Sequence, residues 1–568
     1  MRSETYGPIK KGAGILPESH GGAQMKAAVR YCRRADNRQV EGPAVLELPS
    51  RSRHIEPGAG RSRREHVFLG WFVCLCVVLA LAGRLGELFR PFGGDGAIFI
   101  YMGKTVSEGG RVGIELIDNK FPTVGLLMSP LWRLLGANWP GYVVAQTGLA
   151  IAAVVLLARA AARNIGPHAI TPAASFALVY FNCNLIADGF RLETAQSFFV
   201  IFAAASALPS LLRDDARDSF VVGLAAGTAA MLKPSGLAVL AAFAIATLWL
   251  RHGNLRRLAI HAVAALCGLA IPAAATLIYL VSTDLLPRMP EIWRQIGSYA
   301  AHSRWEPWDG ARWCVVILLL GFPVLVRGVV FRRPRHRLTM RVDRSILFFV
   351  LMWLAIETLG VIAQGRMYPY HFLVLAAPAA LLFGMIPRRD QPVALAAALA
   401  PMILVSTFGA IWVFQNRRPP LERLAITEYL SRHAAAGDSV WMDDMMRLMV
   451  ETDLRPGSRY PTTFLWANDD DAPQRFCRAM LCDFEDRRPK YIILPSQPDF
   501  PTREFAEDFK ELRLTPARRA NYFAAWRELN GYVTKNYSPV AQVGGQTVFR
   551  RGPPELGYDR PHDAAAPG

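Results

Sequence analysis

The sequence predicts a polytopic α-helical membrane protein with about eleven spans and a small soluble α/β domain near its C-terminal end. Three observations lead there. The chain is 52% hydrophobic and only 19% charged, too apolar for an ordinary soluble protein. Its apolar residues gather in near-continuous runs of membrane-spanning length, separated by short basic loops. From residue 415 onward the composition turns soluble.

The predicted spans cover 67–83, 140–158, 170–187, 194–211, 218–232, 235–250, 258–282, 312–330, 345–363, 371–387 and 392–413. The arginines orient them. LLARAAARN, LLRDDARD, RHGNLRR, RGVVFRRPRHRLTMRVDR and PRRDQ all fall between spans on the same side as the segment ending RSRREH. The positive-inside rule makes that side cytoplasmic. Loops 84–139, 188–193, 283–311 and 364–370, with everything after 414, then face outward. One segment decides the parity. FPTVGLLMSPLWRLL, 121–135, is apolar but short and holds two prolines and Arg133. As a span it would send every later basic loop outside, so it reads as a juxtamembrane helix within a long first external loop. The net charge of +18 belongs to this topology and to the basic tail, so nucleic acid is not an expected partner.

Residues 1–64, rich in Arg, Gly, Ser and Pro, read as a disordered cytoplasmic tail without the apolar core of a cleavable signal peptide. Met25 is an alternative start within it. Residues 65–414 form the transmembrane domain, 415–552 the soluble domain and 553–568 a disordered tail. In the soluble part LERLAITEYLSRH has helical periodicity, while GDSVWM, PKYIILP and QTVFRR read as short strands. Cys74, Cys76, Cys183, Cys267 and Cys314 lie in apolar runs and read as small core residues. Cys477 and Cys482 are candidates for pairing outside the cytoplasm, although their spacing on one helix disfavours it. The chain shows no nucleotide-binding fingerprint, no zinc-ligand cluster and no Ser/His/Asp arrangement.

The first external loop opens with GGDGAIFIYMGKTVSEGGRVGIELIDNKFP, 93–122, an acid just after the first span and then D-N-K-F-P. This order resembles the polyprenyl-phosphate-sugar-dependent glycosyltransferases of the GT-C fold. Within them it is similar to family 39, which includes the protein O-mannosyltransferases and the lipid A aminoarabinose transferases. GLAAGTAAMLKPSGLAVL (223–240) and QGRMYPYHFLVLAAPAALL (364–382) resemble two further family segments. GDSVWMDDMMRLMVETDLRPGSRYPTTFL followed by RRPKYIIL resembles the soluble C-terminal domain of bacterial members. The likeness runs over residues 67–550. The chain departs from the pattern with one Asp in GDG, where paired acids are common, and with Lys120-Phe121-Pro122 in place of K-P-P.

The resemblance implies an inverting transfer by direct displacement at the outer face of the inner membrane. The donor would be a polyprenyl-phosphate sugar, and the acceptor a lipid such as lipid A, another envelope glycan or a secreted protein. Such a reaction needs a base for the acceptor hydroxyl and a cation for the leaving phosphate. Asp95 fits the base, its flanking glycines letting the carboxylate approach a substrate; alternatively GGDG is only a turn. Lys120, before the juxtamembrane helix, sits at headgroup height and suits a lipid phosphate, or merely snorkels. Asp118 orients Lys120, accepts from a sugar hydroxyl or is a solvated loop acid; Glu108 and Glu115 read as solvated. Glu193 stands near the sugar or a divalent metal ion in the resemblance; otherwise it pairs with Arg191 on the surface or caps a helix. Lys233, before Pro234, marks an outer helix end near the phosphate or is part of a plain helix break.

Arg366, Tyr368, Tyr370 and His371 crowd one external turn, where Arg366 suits phosphate and the tyrosines suit a sugar; the alternative is an interfacial aromatic belt. Loop 283–311, with Trp293, Arg294, Trp305, Glu306 and Trp308, reads as an amphipathic interfacial helix suited to a lid. The rival reading is a transporter or lipid-linked sugar flippase. Against it, the spans show no evident two-fold repeat, and charge collects in outer loops instead of at mid-membrane.

Overall fold

The computed structural model describes residues 94–118, 120–185, 190–301, 344–363, 369–386, 421–463, 470–496 and 516–552, with the single positions 78, 88, 411 and 466. The predicted span 312–330, nearly all of 67–83 and 392–413, and the residues Arg366, Tyr368, Trp305, Glu306 and Trp308 lie outside the described residues.

The first helix was not foreseen. GDGAIFIYMGKTVS forms α1 (Gly94–Ser107), with Asp95 in its first turn and Lys104 in its last. That is the charge order a helix dipole favours, an acid near the positive end and a base near the negative one. GGDG therefore opens a helix instead of forming a free turn. The short apolar stretch becomes α2 (Thr123–Leu135). At 13 residues it reaches only about 20 Å, short of a hydrocarbon core of about 30 Å. α1 packs against it so closely that a Cβ on Gly103 would lie 2.9 Å from the Met128 backbone.

The bundle follows: α3 (Trp139–Asn164), α4 (Ile170–Leu185), α5 (Leu192–Arg213), α6 (Ala216–Leu232), α7 (Ala238–Arg251), α8 (Leu255–Ser282), α9 (Met289–Ala301), α10 (Arg344–Ala363) and α11 (Ala376–Met385). Among the described residues five segments are long and apolar enough to cross a membrane: α3, α5, α8, α10 and Pro234–Arg251, which includes α7. The expected span at 371–387 starts instead as a 3-10 segment, Pro369–Leu375, before α11. Pro369 locks its own φ and removes a donor, and tight i→i+3 turns tolerate such an entry. The glycines of GLAAGTAAMLKPSG serve packing. A Cβ on Gly223 of α6 would stand 1.9 Å from the Ala265 carbonyl oxygen of α8, and one on Gly268 would stand 2.0 Å from that of Phe220. Small residues let these two backbones touch, as membrane helices require where no water drives them together.

The C-terminal part holds α12 (Leu421–His433), β1 (Ser439–Met442), α13 (Met446–Glu451), β2 (Arg455–Pro456), α14 (Ala472–Arg487), β3 (Tyr491–Pro495), α15 (Pro516–Asn536), β4 (Tyr537–Val543) and β5 (Gln546–Arg551). They build one sheet in the order β2-β1-β3-β5-β4. β1 is parallel to β2 and β3, while β5 is antiparallel to β3 and β4. The three expected strands are present; β2 and β4 were missed. β2 is two residues long, too short for alternation to show, and β4 carries Pro539 and a register shift. Gly544 and Gly545, both at positive φ, turn the chain from β4 into β5, the backbone that a two-residue primed hairpin turn demands. Cys477 and Cys482 both lie on α14 and both are free thiols. Cys477 instead donates to the Ala525 carbonyl, and burial pushes its thiol up to about 12.

The sheet region and the first loop share one hydrophobic core, which joins Ile98, Ile100 and Met102 of α1 to Met445, Met449 and Ile492. Buried Lys104 donates to the Met449 and Thr452 carbonyls at 2.7 and 2.8 Å, a cation at the C-terminal end of α13. The Ile117 amide donates to the Arg459 carbonyl at 2.8 Å. These bonds hold the first loop against the sheet region, so the loop's charged residues are set by packing.

Candidate functional site

Four separate chain segments bring their charges to the end of the bundle that carries the sheet. α1 supplies Asp95, the loop before α2 supplies Asp118 and Lys120, the N-terminal end of α5 supplies Arg191 and Glu193, and the 3-10 segment supplies His371. The Arg191 guanidinium donates to one carboxylate oxygen of Asp95, while the Lys120 ammonium stands 3.6 Å from the other. Lys120 also lies 3.6 Å from the Asp118 carboxylate and 6.0 Å from the Phe99 ring centroid.

The two acids share this cation but are shifted in opposite directions. Burial alone would push Asp95 up. The charges of Lys120 and Arg191, the Arg191 hydrogen bond and nearby His371 outweigh it, holding the carboxyl at about 2. Asp118 is more deeply buried, and burial pushes its carboxyl upward; Lys120 pulls it back while Asp95 pushes further. Neighbouring carboxyls driven apart in this way are a recurrent sign of a reacting centre.

The supposed surface pair of Arg191 and Glu193 does not form. Both side chains are buried. Arg191 turns to Asp95, and Glu193 accepts from Lys233 at 3.1 Å. The two residues sit on either side of the first residue of α5, so consecutive side chains leave in different directions and serve two adjacent ion pairs. Gln146 donates to Thr194 at 2.9 Å and Gln196 to Ser235 at 2.8 Å, tying α5 to α3 and to the KPSG turn. Thr123 donates to the Met231 carbonyl, which brings α2 against the same end of α6.

Sequence reasoning missed two contributors. Arg191 was noted only as a partner for Glu193. Glu357 is fully buried in α10, accepts from Trp353 at 3.2 Å and feels the charge of Lys233. Its signal was available, because an acid inside a run as apolar as RSILFFVLMWLAIETLGVIA points inward for a reason. The expected amphipathic helix of the 283–311 loop is α9, whose Trp293 packs on Phe121 with ring centroids 5.3 Å apart. Asp118, Lys120, Glu291, Gln295 and Arg459 help to line a small cavity of about 60 Å³ beneath it. The Tyr370 backbone lies in the 3-10 segment; its side chain lies outside the described residues. Glu108 is exposed and Glu115 pairs with Arg111 at 3.3 Å, so neither joins the cluster. Among the described residues no group of three or more His, Cys, Asp or Glu side chains could hold a metal ion; beside Glu193 stands the Lys233 ammonium.

No protein-family model matches the sequence, and no curated protein matches it. Solved structures do. The apo crystal structure of ArnT from Cupriavidus metallidurans superposes with a TM-score of 0.53 at 14% identity, covering 86% of this chain and 100% of that one. The same protein bound to undecaprenyl phosphate gives 0.50 at 13% identity, covering 85% and 99%. The apo oligosaccharyltransferase of Archaeoglobus fulgidus is more distant, at a TM-score of 0.44 and 13% identity over 76% of this chain and 70% of that one. The fold is that of a GT-C glycosyltransferase. In this chain the ion pairs of Asp95, Lys120 and Arg191 lie at one end of the bundle, where α1 and α2 pack against the sheet region.

Proposed function

We propose that the chain is a membrane glycosyltransferase that moves a sugar from a polyprenyl-phosphate donor to an envelope acceptor at the outer face of the inner membrane. The observation that carries the proposal is the Asp95 carboxylate held between Lys120 and Arg191. The likeness to a fold whose solved example binds undecaprenyl phosphate supports the choice of donor. The acceptor is a lipid such as lipid A, another glycan or a secreted protein.

The acceptor hydroxyl oxygen attacks the anomeric carbon from the face opposite the phosphate. A new C–O bond forms as the bond to the phosphate oxygen breaks, and the electron pair leaves on the polyprenyl phosphate. Asp95 takes the acceptor proton, and Lys120 and Arg191 stabilise the phosphate as its charge develops. With its carboxyl at about 2 in the resting site, Asp95 is a weak base. A donor phosphate that draws Lys120 and Arg191 toward itself weakens both ion pairs and raises the basicity of Asp95 where the proton is taken. Asp118 orients Lys120 or accepts from a sugar hydroxyl, and Glu193, Tyr368, Tyr370 and His371 contribute further substrate contacts. Arg366 is assigned to the phosphate by its sequence position, and α9 serves as a lid over the Asp118 side.

The test is sugar transfer by purified protein from a panel of polyprenyl-phosphate sugars. Asp95→Asn is expected to cut kcat per folded molecule about a thousandfold. Unchanged transfer would remove Asp95 from the chemistry. Absence of transfer by wild type from every donor would favour the transporter reading. Mass spectrometry of envelope lipids and proteins from a deletion strain identifies the acceptor.

A further inference from the structure

A second, larger cavity of about 730 Å³ lies between the C-terminal half of α1 and the edge of the sheet region. Its lining includes Tyr101, Glu108 and Glu115 on one side and Arg455, Arg487 and Arg488 on the other. It is separate from the Asp95 site. On α1 Tyr101 stands about 9 Å along the axis from Asp95 and is turned roughly 120° from it, and Glu108 and Glu115 follow after the helix ends at Ser107.

The two walls are oppositely charged, yet no ion pair crosses between these six residues. Arg487 donates to the Pro456 carbonyl at 3.3 Å on its own wall, and Glu115 pairs with Arg111. The Arg455 guanidinium lies over Gly437, 3.8 Å from where a Cβ would be. Arg488 caps α14 in the left-handed region at φ 48°. Tyr101, Glu108, Glu115 and Arg487 line the same cavity, so acid and guanidinium share it with one phenol. The walls are rigid, because Lys104 and the shared core fix α1 to the sheet region.

Guanidinium forks select oxyanions and can bind them bidentately. The facing carboxylates would repel a bare anion but accept hydrogen bonds from hydroxyls. A ligand that satisfies both walls is anionic on one side and rich in hydroxyls on the other. The volume lies within the range of small-molecule sites and suits a short oligosaccharide. We propose that this cavity is a glycan-binding site for a phosphorylated or carboxylated oligosaccharide, held by Arg455, Arg487 and Arg488 against Glu108 and Glu115. If the chain transfers sugars as proposed above, the site grips an anionic part of the acceptor remote from the reacting hydroxyl. The binding itself does not depend on that reading.

The test uses the full chain in detergent and isothermal titration calorimetry with trehalose 6-phosphate, trehalose and inorganic phosphate. Trehalose 6-phosphate is expected to bind more tightly than either of the other two, and more weakly as salt rises. The double variant Arg455→Ala/Arg488→Ala should weaken it about tenfold or more, with Tm unchanged because both side chains are exposed. Glu108→Gln should weaken the sugar phosphate but not inorganic phosphate. Lys120→Ala should leave its Kd within about twofold. No binding up to about 10 mM by folded wild type overturns the proposal. So does binding lost with Lys120→Ala but kept in the double arginine variant. Equal binding of inorganic phosphate, indifferent to Glu108→Gln, reduces the site to a simple anion site and overturns the glycan assignment. Transfer activity enters none of these readouts, so failure here leaves the Asp95 reading intact.

Discussion

The two ends of α5 carry polar clusters built from similar residues but finished differently. At the sheet end stand Asp95, Asp118, Lys120 and Arg191; at the other end Asp214 stands at φ 60° just after the helix. About 33 Å of helix separates them. Asp214 collects Arg251, Arg257 and His261, each at 2.8 Å, and His261 turns its other nitrogen to Ser219 at 2.6 Å. Arg251 also donates to the Ser210 carbonyl at 2.9 Å. Every short contact there is made within the protein. At the sheet end Lys120 stays 3.6 Å from both of its acids, beyond direct hydrogen-bond distance. A network of short contacts fastens helices, whereas the longer lysine ion pairs at the sheet end can rearrange toward an incoming phosphate.

The closed cluster also corrects an expectation. Ser219, His261 and Asp214 do form a Ser/His/Asp arrangement in space, although none was expected from the sequence. Ser219 is fully buried and His261 nearly so, so no acyl substrate reaches the hydroxyl. These residues tie α6 and α8 to the turn after α5.

Paired substitutions test the contrast most sharply. Asp95→Asn should remove about a thousandfold of kcat per folded molecule, whereas Asp214→Asn should lower Tm and leave transfer per folded molecule near wild type. Equal activity losses would erase the distinction. A smaller effect is expected from Lys120→Ala, a rise in donor KM of about tenfold to a hundredfold, checked by steady-state kinetics at varied donor. His261→Ala should cost about 2 kcal/mol of stability, read as a Tm lower by a few degrees, with donor KM unchanged.

The smallest effect concerns pH. The Asp95 carboxyl is held at about 2, so its folded value lies below its unfolded one. Its stabilising contribution is present above the unfolded value of 3.8 and lost only as pH falls through about 2. The acid limb of kcat/KM should therefore not come from Asp95. Asp118 is shifted upward, and the limb should move or vanish in Asp118→Asn. A limb unchanged in that variant would separate Asp118 from the reacting centre.

Much of the architecture was legible because burial in a membrane writes itself into local composition. Predicted runs such as 140–158, 194–211 and 345–363 appear as α3, α5 and α10, extended by up to six residues at an end. The basic residues at Arg213 and Arg251 close their helices as the arginine pattern implied. The α1 helix was hidden because its glycines mimic a turn, and β2 because two residues show no period. In the candidate site, Asp95 and Lys120 were legible one by one, as charges at unusual heights. Their partners were not.

The sequence by itself determined the apolar segments, their basic ends, the more polar composition of the C-terminal region and the charges at the ends of the helices. Each depends on hydropathy and helix length, properties of neighbouring residues. Only the tertiary structure decided that Arg191 meets Asp95 instead of Glu193, that Glu193 meets Lys233, and that Lys104 fastens α1 to Thr452. Those pairs join residues tens to hundreds of positions apart. Their geometry follows from which helices touch, through contacts such as Gly223 on Ala265, and a linear pattern of polarity does not encode that.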